Sequence, residues 1–286
     1  MNFFYGVFGM KLAMVGDQLV PQETLDPIYT DRGLYFGDGV YEVLRSYNGK
    51  IFALDEHLNR FAASMAAIRI TGIDIGVIRE RVLRAFKAFA QPNAKIYFHV
   101  TRGSAPRNHT WAKDIQPNFF LTISLVGDAA KEKANGIAVC THPDLRWKRC
   151  DIKSLNLLPN VLARQEAADK GCEEAILVDD AGLITEGAGS AFFAIIHDSL
   201  HTAPLGANIL PSITRHFITK AATNLGMTIT EKCLTPAEAA NADELFIAVT
   251  TKDVVPVVKF DGKPIGNGKP GRWVKALMTE FQQFTV

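Results

Sequence analysis

CDIKSLNLLPN, residues 150–160, is the stretch on which the rest of the chain turns. Lys153 stands here beside Ile152 and two positions before Leu155. A lysine among apolar neighbours is one of two things. It is a surface cation whose stem lies along apolar surface while its ammonium stays in water, or it is a desolvated amine kept for chemistry. The stretch alone does not choose between them.

Working outward, the chain has 286 residues, 48% of them hydrophobic and 21% charged, with a net charge of +1. That length suggests about two domains, and that composition a globular chain with a sizeable core. No long basic run stands out, which argues against a nucleic-acid partner. Cys140, Cys150, Cys172 and Cys233 form no C-x-x-C pair. Their wide spacing argues against zinc or a disulfide framework and for reduced thiols in a cytoplasmic protein. No metal site is expected. The opening MNFFYGVFGMKLAMV is apolar but too short to span a bilayer. It lacks a basic n-region and a clean cleavage site, so it reads as an N-terminal arm and a strand.

Residues 1–126 read as a small α+β domain. Gly16-Asp17 and Asn48-Gly49 are hairpin turns between apolar runs. Gly33, Gly37 and Gly39 mark an irregular, tightly packed loop. Asp55 is expected to cap a helix running to about Ile70, with Phe61, Met65 and Ile68 on its inner face. A second helix is expected over 74–90, then strands in AKIYFHVTRG and NFFLTISLV joined by the loop SAPRNH. Residues 127–135 are small and polar and read as an interdomain linker. Residues 136–286 read as a large domain of strands, mostly in hairpin pairs. Its helices are PNVLARQEAADKG, PSITRHFITKAATNLG with Pro211 in the first turn, TPAEAANA and the C-terminal segment. Hairpin pairing makes a Rossmann-type alternation unsuitable. GDG at 37–39 and GAG at 187–189 lack dinucleotide spacing and read as tight turns.

Several residues are candidates for chemistry, each with a plainer alternative. Glu186, at a strand end before a glycine-rich turn, is a solvated strand end or the acid partner of a pyridine nitrogen. Ile213 and Thr214 open a helix, where free N–H groups and the dipole suit a phosphate; any helix start looks the same. Thr250 and Thr251 end a strand and offer further donors. Arg60 is a surface helix charge or the cation that balances a phosphate. Arg107 and His109, in a loop, are solvated or grip a carboxylate. Taken with Lys153, these are the groups that a phosphate-bearing aldehyde cofactor requires around a Schiff-base lysine.

DRGLYFGDGVYE, RGSAPRNH, RWKRCDIKSLNLL, LITEG and LFIAVTT occur in the order seen in class IV aminotransferases, the fold-type IV family that uses pyridoxal 5'-phosphate. The resemblance runs from about residue 12 to 282 and is strongest to the D-amino acid branch. It implies an α+β, two-domain fold-type IV architecture and transamination between D-amino acids and 2-oxo acids. It also implies that Lys153 is the Schiff-base lysine and proton shuttle and that Glu186 bonds the pyridine nitrogen. Arg60, Ile213, Thr214 and Thr250 would hold the phosphate, and Leu210 would contact the ring. Tyr41, Arg107 and His109 would take the substrate carboxylate, with Arg107 and His109 reaching across a homodimer. Val249 stands where the family carries a further hydroxyl, and MNFFYGVFGM has no counterpart. Branched-chain L-amino acid aminotransferase and aminodeoxychorismate lyase share the cofactor residues, so only the 107–109 loop separates them. A non-catalytic α+β binding protein is the alternative outside enzymology.

Overall fold

The computed structural model of the chain describes residues 11–286, so the expected N-terminal arm lies outside the described residues. It opens with the hairpin β1 (Leu12–Val15) and β2 (Gln18–Pro21), turned by Gly16 at φ +58°. The segment expected as a glycine loop instead holds a five-residue helix, α1 (Arg32–Phe36). Asp31 caps it by accepting from the Gly33 N–H, and Gly37 ends it at φ +64°. A side chain at Gly37 would also meet Asn156, its ideal Cβ lying 2.5 Å from Oδ1.

Next come β3 (Gly39–Tyr47), β4 (Lys50–Ile51), the helices α2 (Leu54–Ala67) and α3 (Ile75–Phe89), then β5 (Ala94–Thr101) and β6 (Asn118–Leu125). The strands form an antiparallel sheet in the order β4-β3-β5-β6. Alternation on β3 sends Val40, Glu42 and Leu44 inward and turns Tyr41, Val43 and Arg45 to the other face. Asp55 does not cap α2. Ala53 holds the cap position without a side-chain bond, and Asp55 sits in the first turn, where the helix dipole favours it. The helix also stops at Ala67, short of Ile70. Phe61, Ile78, Val82, Ile96, Phe98 and Val100 form the core between sheet and helices. Ile152 joins this same core from far along the chain.

The stretch expected as a linker holds a helix. Ala130–Asn135 forms a short helix, α4, because AKEKAN is rich in strong helix formers. Lys133 pairs with Asp253 at 2.6 Å and Glu132 with Lys252 at 2.7 Å, which docks α4 on the large sheet.

The rest of the chain supplies β7 (Ile137–Pro143), α5 (Leu158–Asp169), β8 (Glu174–Val178), β9 (Ile184–Gly187), β10 (Ala191–Ile196), β11 (Ser199–Thr202) and α6 (Ile213–Asn224). It ends with β12 (Ile229–Glu231), α7 (Pro236–Ala240), β13 (Glu244–Val249), β14 (Asp253–Phe260), β15 (Lys263–Pro264) and α8 (Arg272–Gln283). The sheet order is β12-β11-β10-β13-β14-β7-β8-β9, with β15 on β14. Pairing is antiparallel except at β11–β12, β14–β7 and β7–β8. AFFAII and ELFIAV are near-continuous apolar runs because both faces of the central strands are covered. One face packs against α6 and α8 through Phe193, Phe246, Leu277 and Phe281, and the other carries Leu234, Ala239 and Ala242 around α7. Pro211 falls before the helix rather than in its first turn; Ser212 is the cap, its Oγ accepting from the Arg215 N–H. No helix among the described residues is long and apolar enough to cross a membrane.

Phe98 is fully buried, and its ring centroid lies 5.0 Å from that of Phe61. Phe98→Ala should cost about 3–5 kcal/mol through lost transfer energy and the cavity left behind. Urea unfolding at fixed protein concentration measures it; a loss under about 1 kcal/mol would mean that the site collapses around the void.

Candidate active site

The Lys153 segment is fastened to β3 by its main chain. Tyr41 N–H donates to Lys153 O at 3.0 Å, and Leu155 N–H donates to Gly39 O at 3.0 Å. Val40 and Ser154 form a bridge, and Ser64 Oγ on α2 accepts from Lys153 N–H at 3.2 Å. Ile152, 5% exposed, anchors one flank in the small sheet's core. The alternation that buries Ile152 and Ser154 leaves Lys153 half-buried and turned the other way. Its Nζ stands 4.3 Å above the Tyr41 ring, and among the described residues no carboxylate pairs with it.

Lys153 opens on a cavity of about 240 Å³ between the two sheets. Of the residues expected from the sequence, Lys153, Tyr41, Arg60, Glu186, Leu210 and Thr250 all line it. Ile213 and Thr214 do not line it directly. They begin α6 immediately after Ser212, which does, and the N–H groups of a first turn have no partner within the helix. Val249 lines the cavity without a hydroxyl, while Thr251 supplies one beside Thr250. Arg107 and His109 are not brought to this cavity; they sit exposed in the loop between β5 and β6 of the same chain.

Glu186 ends β9 and is 6% exposed. Burial pushes its carboxyl up, against the pull of Arg146, whose Nη1 contacts Oε1 directly. Its other oxygen accepts only from the Leu210 N–H, at 3.4 Å. A carboxyl in such a setting can share a proton with a base placed beside it. Arg146 was missed in the sequence. Asp144 locks it through Nε and Nη2 at 2.8 and 2.7 Å, and that Asp-x-Arg pairing was its only local signal. Ser212 was missed as well, because the helix start was placed two residues too early, at Pro211.

The most informative omission is Glu42. It is fully buried, between Val40 and Leu44 on the inward face of β3, and a charged residue in that alternation was the available signal. Arg60 Nε and Nη2 donate to its two oxygens at 2.7 Å each. His57 Nδ1 lies 2.8 Å from Oε2, and since a carboxylate only accepts, that nitrogen is the donor. Burial pushes His57 down, which keeps the imidazole neutral near pH 7. Burial alone would raise Glu42, but Arg60 and His57 hold it well below the usual carboxylate range. Arg60 Nη1 donates to Pro211 O at 3.0 Å, so the guanidinium joins α2 to the start of α6 and keeps a donor free for the cavity.

The depressed carboxyl gives stability that is present above its ordinary value of 4.5 and is lost as pH falls below it. Glu42→Gln should cost about 3–5 kcal/mol near neutrality, since it leaves the Arg60 charge buried without its partner. The gap to wild type should narrow as pH drops below 4.5. Urea midpoints at neutral and acid pH test this, and a gap of constant size would contradict it.

The cavity therefore offers an amine, a buried carboxyl, an arginine and hydroxyls, with the first turn of α6 following its lining residue Ser212. This set suits a small aromatic aldehyde bearing a phosphate. The family model for amino-transferase class IV matches residues 39–260. A D-alanine aminotransferase of Bacillus licheniformis is 41% identical over 256 residues, 88% of this chain and 89% of that protein. One of Staphylococcus haemolyticus is 35% identical, over 96% of this chain and 98% of that one. Among solved structures, the Escherichia coli branched-chain amino acid aminotransferase superposes with a TM-score of 0.84 at 25% identity, covering 93% of this chain and 92% of its own. A hypothetical aminotransferase of Mycobacterium tuberculosis in its PLP-bound form gives 0.80 at 17% identity, covering 94% and 96%. The chain belongs to the class IV aminotransferases, an enzyme of the fold-type IV architecture whose cofactor is pyridoxal 5'-phosphate.

Proposed function

We propose that this enzyme transaminates D-amino acids against 2-oxo acids, with Lys153 as the residue that carries the cofactor and moves the proton. The observation that carries the assignment is the convergence of Lys153, Glu186 and Arg60 on one cavity from three separate elements. The D-alanine aminotransferase relatives support the substrate class. With residues 1–126 and 136–286 taken as two units, the first supplies Tyr41 and Arg60, and the second supplies Lys153, Glu186 and α6. Residues 127–135 join them, as a docked helix rather than a free tether.

When bound, pyridoxal 5'-phosphate supplies an aldehyde for amines and a ring that accepts electrons. Arg60, Thr250 and the N–H groups of Ile213 and Thr214 would hold the phosphate charge, and Leu210 would contact the ring. Glu186, held in place by Arg146, would keep a proton at the pyridine nitrogen. The Lys153 amine takes the substrate α-proton from one side and returns it on that side, because its main chain cannot turn away from β3. Tyr41 lies beside it and starts the carboxylate subsite.

Arg107 and His109 complete that subsite from a second copy of the chain. Two observations support the homodimer. Both residues stand away from their own chain's cavity. In addition, α5 turns Leu158, Val161 and Leu162 outward, 68%, 58% and 57% exposed, next to Leu157 and Asn160 at the cavity mouth. Such a stripe at i, i+3 and i+4 suits burial against another subunit. The four free thiols support a cytoplasmic setting.

Borohydride reduction followed by peptide mapping should place the cofactor on Lys153, and Lys153→Ala should abolish transamination while leaving the fold intact. Labelling at another lysine would overturn the assignment.

The carboxylate subsite also sets handedness. A carboxylate held by Tyr41, Arg107 and His109 leaves the remaining space for the side chain of a D-amino acid. An L-substrate would forfeit charge-assisted bonds worth about 1.5–3 kcal/mol each. D-alanine or D-glutamate should therefore react roughly a hundredfold or more faster than the L-forms, since about 1.4 kcal/mol is tenfold in rate. Arg107→Ala should lose most of the D-activity. Faster turnover of L-leucine by the wild-type enzyme would move the substrate class to branched-chain L-amino acids.

A further inference from the structure

Arg32 opens α1 and is 3% exposed, although nothing in the cavity around Lys153 touches it. A guanidinium so deeply buried requires partners for its donors. One is Asp38, which accepts from Nε at 2.8 Å. The others are main-chain carbonyls of one short segment. Nη1 donates to Asn108 O at 2.5 Å and to Thr110 O at 3.3 Å, and Nη2 donates to His109 O at 3.1 Å. A single planar fork thus holds three successive residues of the loop that carries Arg107 and His109.

The fork is itself held. Asp38 accepts from Arg102 Nε and Nη2 at 2.8 Å each, and Arg102 donates onward to Ile68 O and Arg69 O at 2.7 and 3.0 Å, past the end of α2. Burial alone would raise the Asp38 carboxyl, but Arg102 and Arg32 hold it below the usual range, so it keeps its charge between them. The outer face of the device is Phe36. Arg32 Cζ lies 4.9 Å from its ring centroid, Arg107 Cζ lies 5.1 Å away, and the His109 ring centroid 5.5 Å. Both loop side chains therefore share one aromatic platform and project together.

We propose that Arg32, fixed by Asp38, is the positioning residue of the substrate-carboxylate loop, and that it acts on the active site of the partner subunit rather than its own. This rests on the assignment of Arg107 and His109 to a carboxylate subsite shared across the dimer. The residue type matters. A lysine at 32 would keep a charge beside Asp38 but, as a point donor, could not span three carbonyls and a carboxylate at once. An arginine whose job was only to neutralise Asp38 would have no need of the loop, since Arg102 already makes two bonds to that carboxylate.

The experiment compares Arg32→Lys, Arg32→Gln and Arg107→Ala, with D-alanine as the varied substrate. Arg32→Lys should raise KM for D-alanine at least tenfold and change kcat less than threefold. Hydrogen exchange should speed up across residues 103–112, with exchange in α2 and β3 unchanged. Hybrid dimers isolated with Lys153→Ala subunits should regain the wild-type KM, because the one Lys153-bearing site then receives its loop from a chain with Arg32 intact. If Arg32→Lys does not fold, Arg32→Gln, which also removes the fork, carries the same measurements. If Arg107→Ala raises KM but neither Arg32 variant does, the positioning role is wrong while the carboxylate subsite stands. If the hybrids keep the raised KM although Arg107→Ala hybrids recover, Arg32 does not act across the interface. If Arg107→Ala leaves KM unchanged, the carboxylate assignment itself falls and the proposal falls with it.

Discussion

The hydrogen bonds between the main chain of Lys153–Leu155 and β3 are the constraint on which the active site depends. They make the lysine segment an added edge of the small sheet, although it is continuous with the large one. Ile152 drives this docking by entering a core made otherwise of residues before 124. Apolar burial holds the segment in place, and the hydrogen bonds fix its register to the residue. A slip by one position would turn Lys153 into the core and Ile152 out of it, so the geometry of the cavity and folding stability are set by the same contacts.

β3 then distributes function between its two faces. One face carries Val40 and Leu44 into the helices and, between them, Glu42, whose charge is tolerated only because Arg60 and His57 satisfy it. The other carries Tyr41 and Val43 to the cavity and Arg45 to Thr251 O and Asp253 at 3.0 Å each. Through Arg45 the small sheet grips the turn that presents Thr250 and Thr251, and through Arg60 it grips the start of α6. The part of the cavity wall that carries Thr250 and Thr251 is thus built from the large sheet but held by the small one. A second set of buried charges, Asp144, Arg146 and Glu186, braces the wall at β9.

Local physical signals made much of this legible in advance. Hairpin turns at Gly16 and Asn48-Gly49, the helical period of Phe61 and Met65, and the doubly buried runs of β10 and β13 all declare themselves through chain chemistry and periodicity. The errors lie where neighbours in space override neighbours in sequence. Glycines at 33 and 37 read as a loop, yet they serve as the first turn and the cap of α1, because Asp31 and Arg32 find partners across the fold. A small, polar stretch at 127–135 reads as a linker, yet ion pairs to β14 and its own helix formers fold part of it into α4.

By itself the sequence determined the α+β class, the family and a set of candidate residues, because each rests on a motif or a period carried within a short stretch. Tertiary structure alone decided which of those residues do meet. Glu42 and Arg146 left only faint local signals, since a buried charge is defined by its partners, and those of Arg146 lie up to 62 positions away, at Asn208 O. The placement of Arg107 and His109 outside their own chain's cavity is of the same kind. Sequence records that a loop carries an arginine and a histidine, but the path of that loop is set by Arg32, 76 residues from the carbonyl it holds at Asn108.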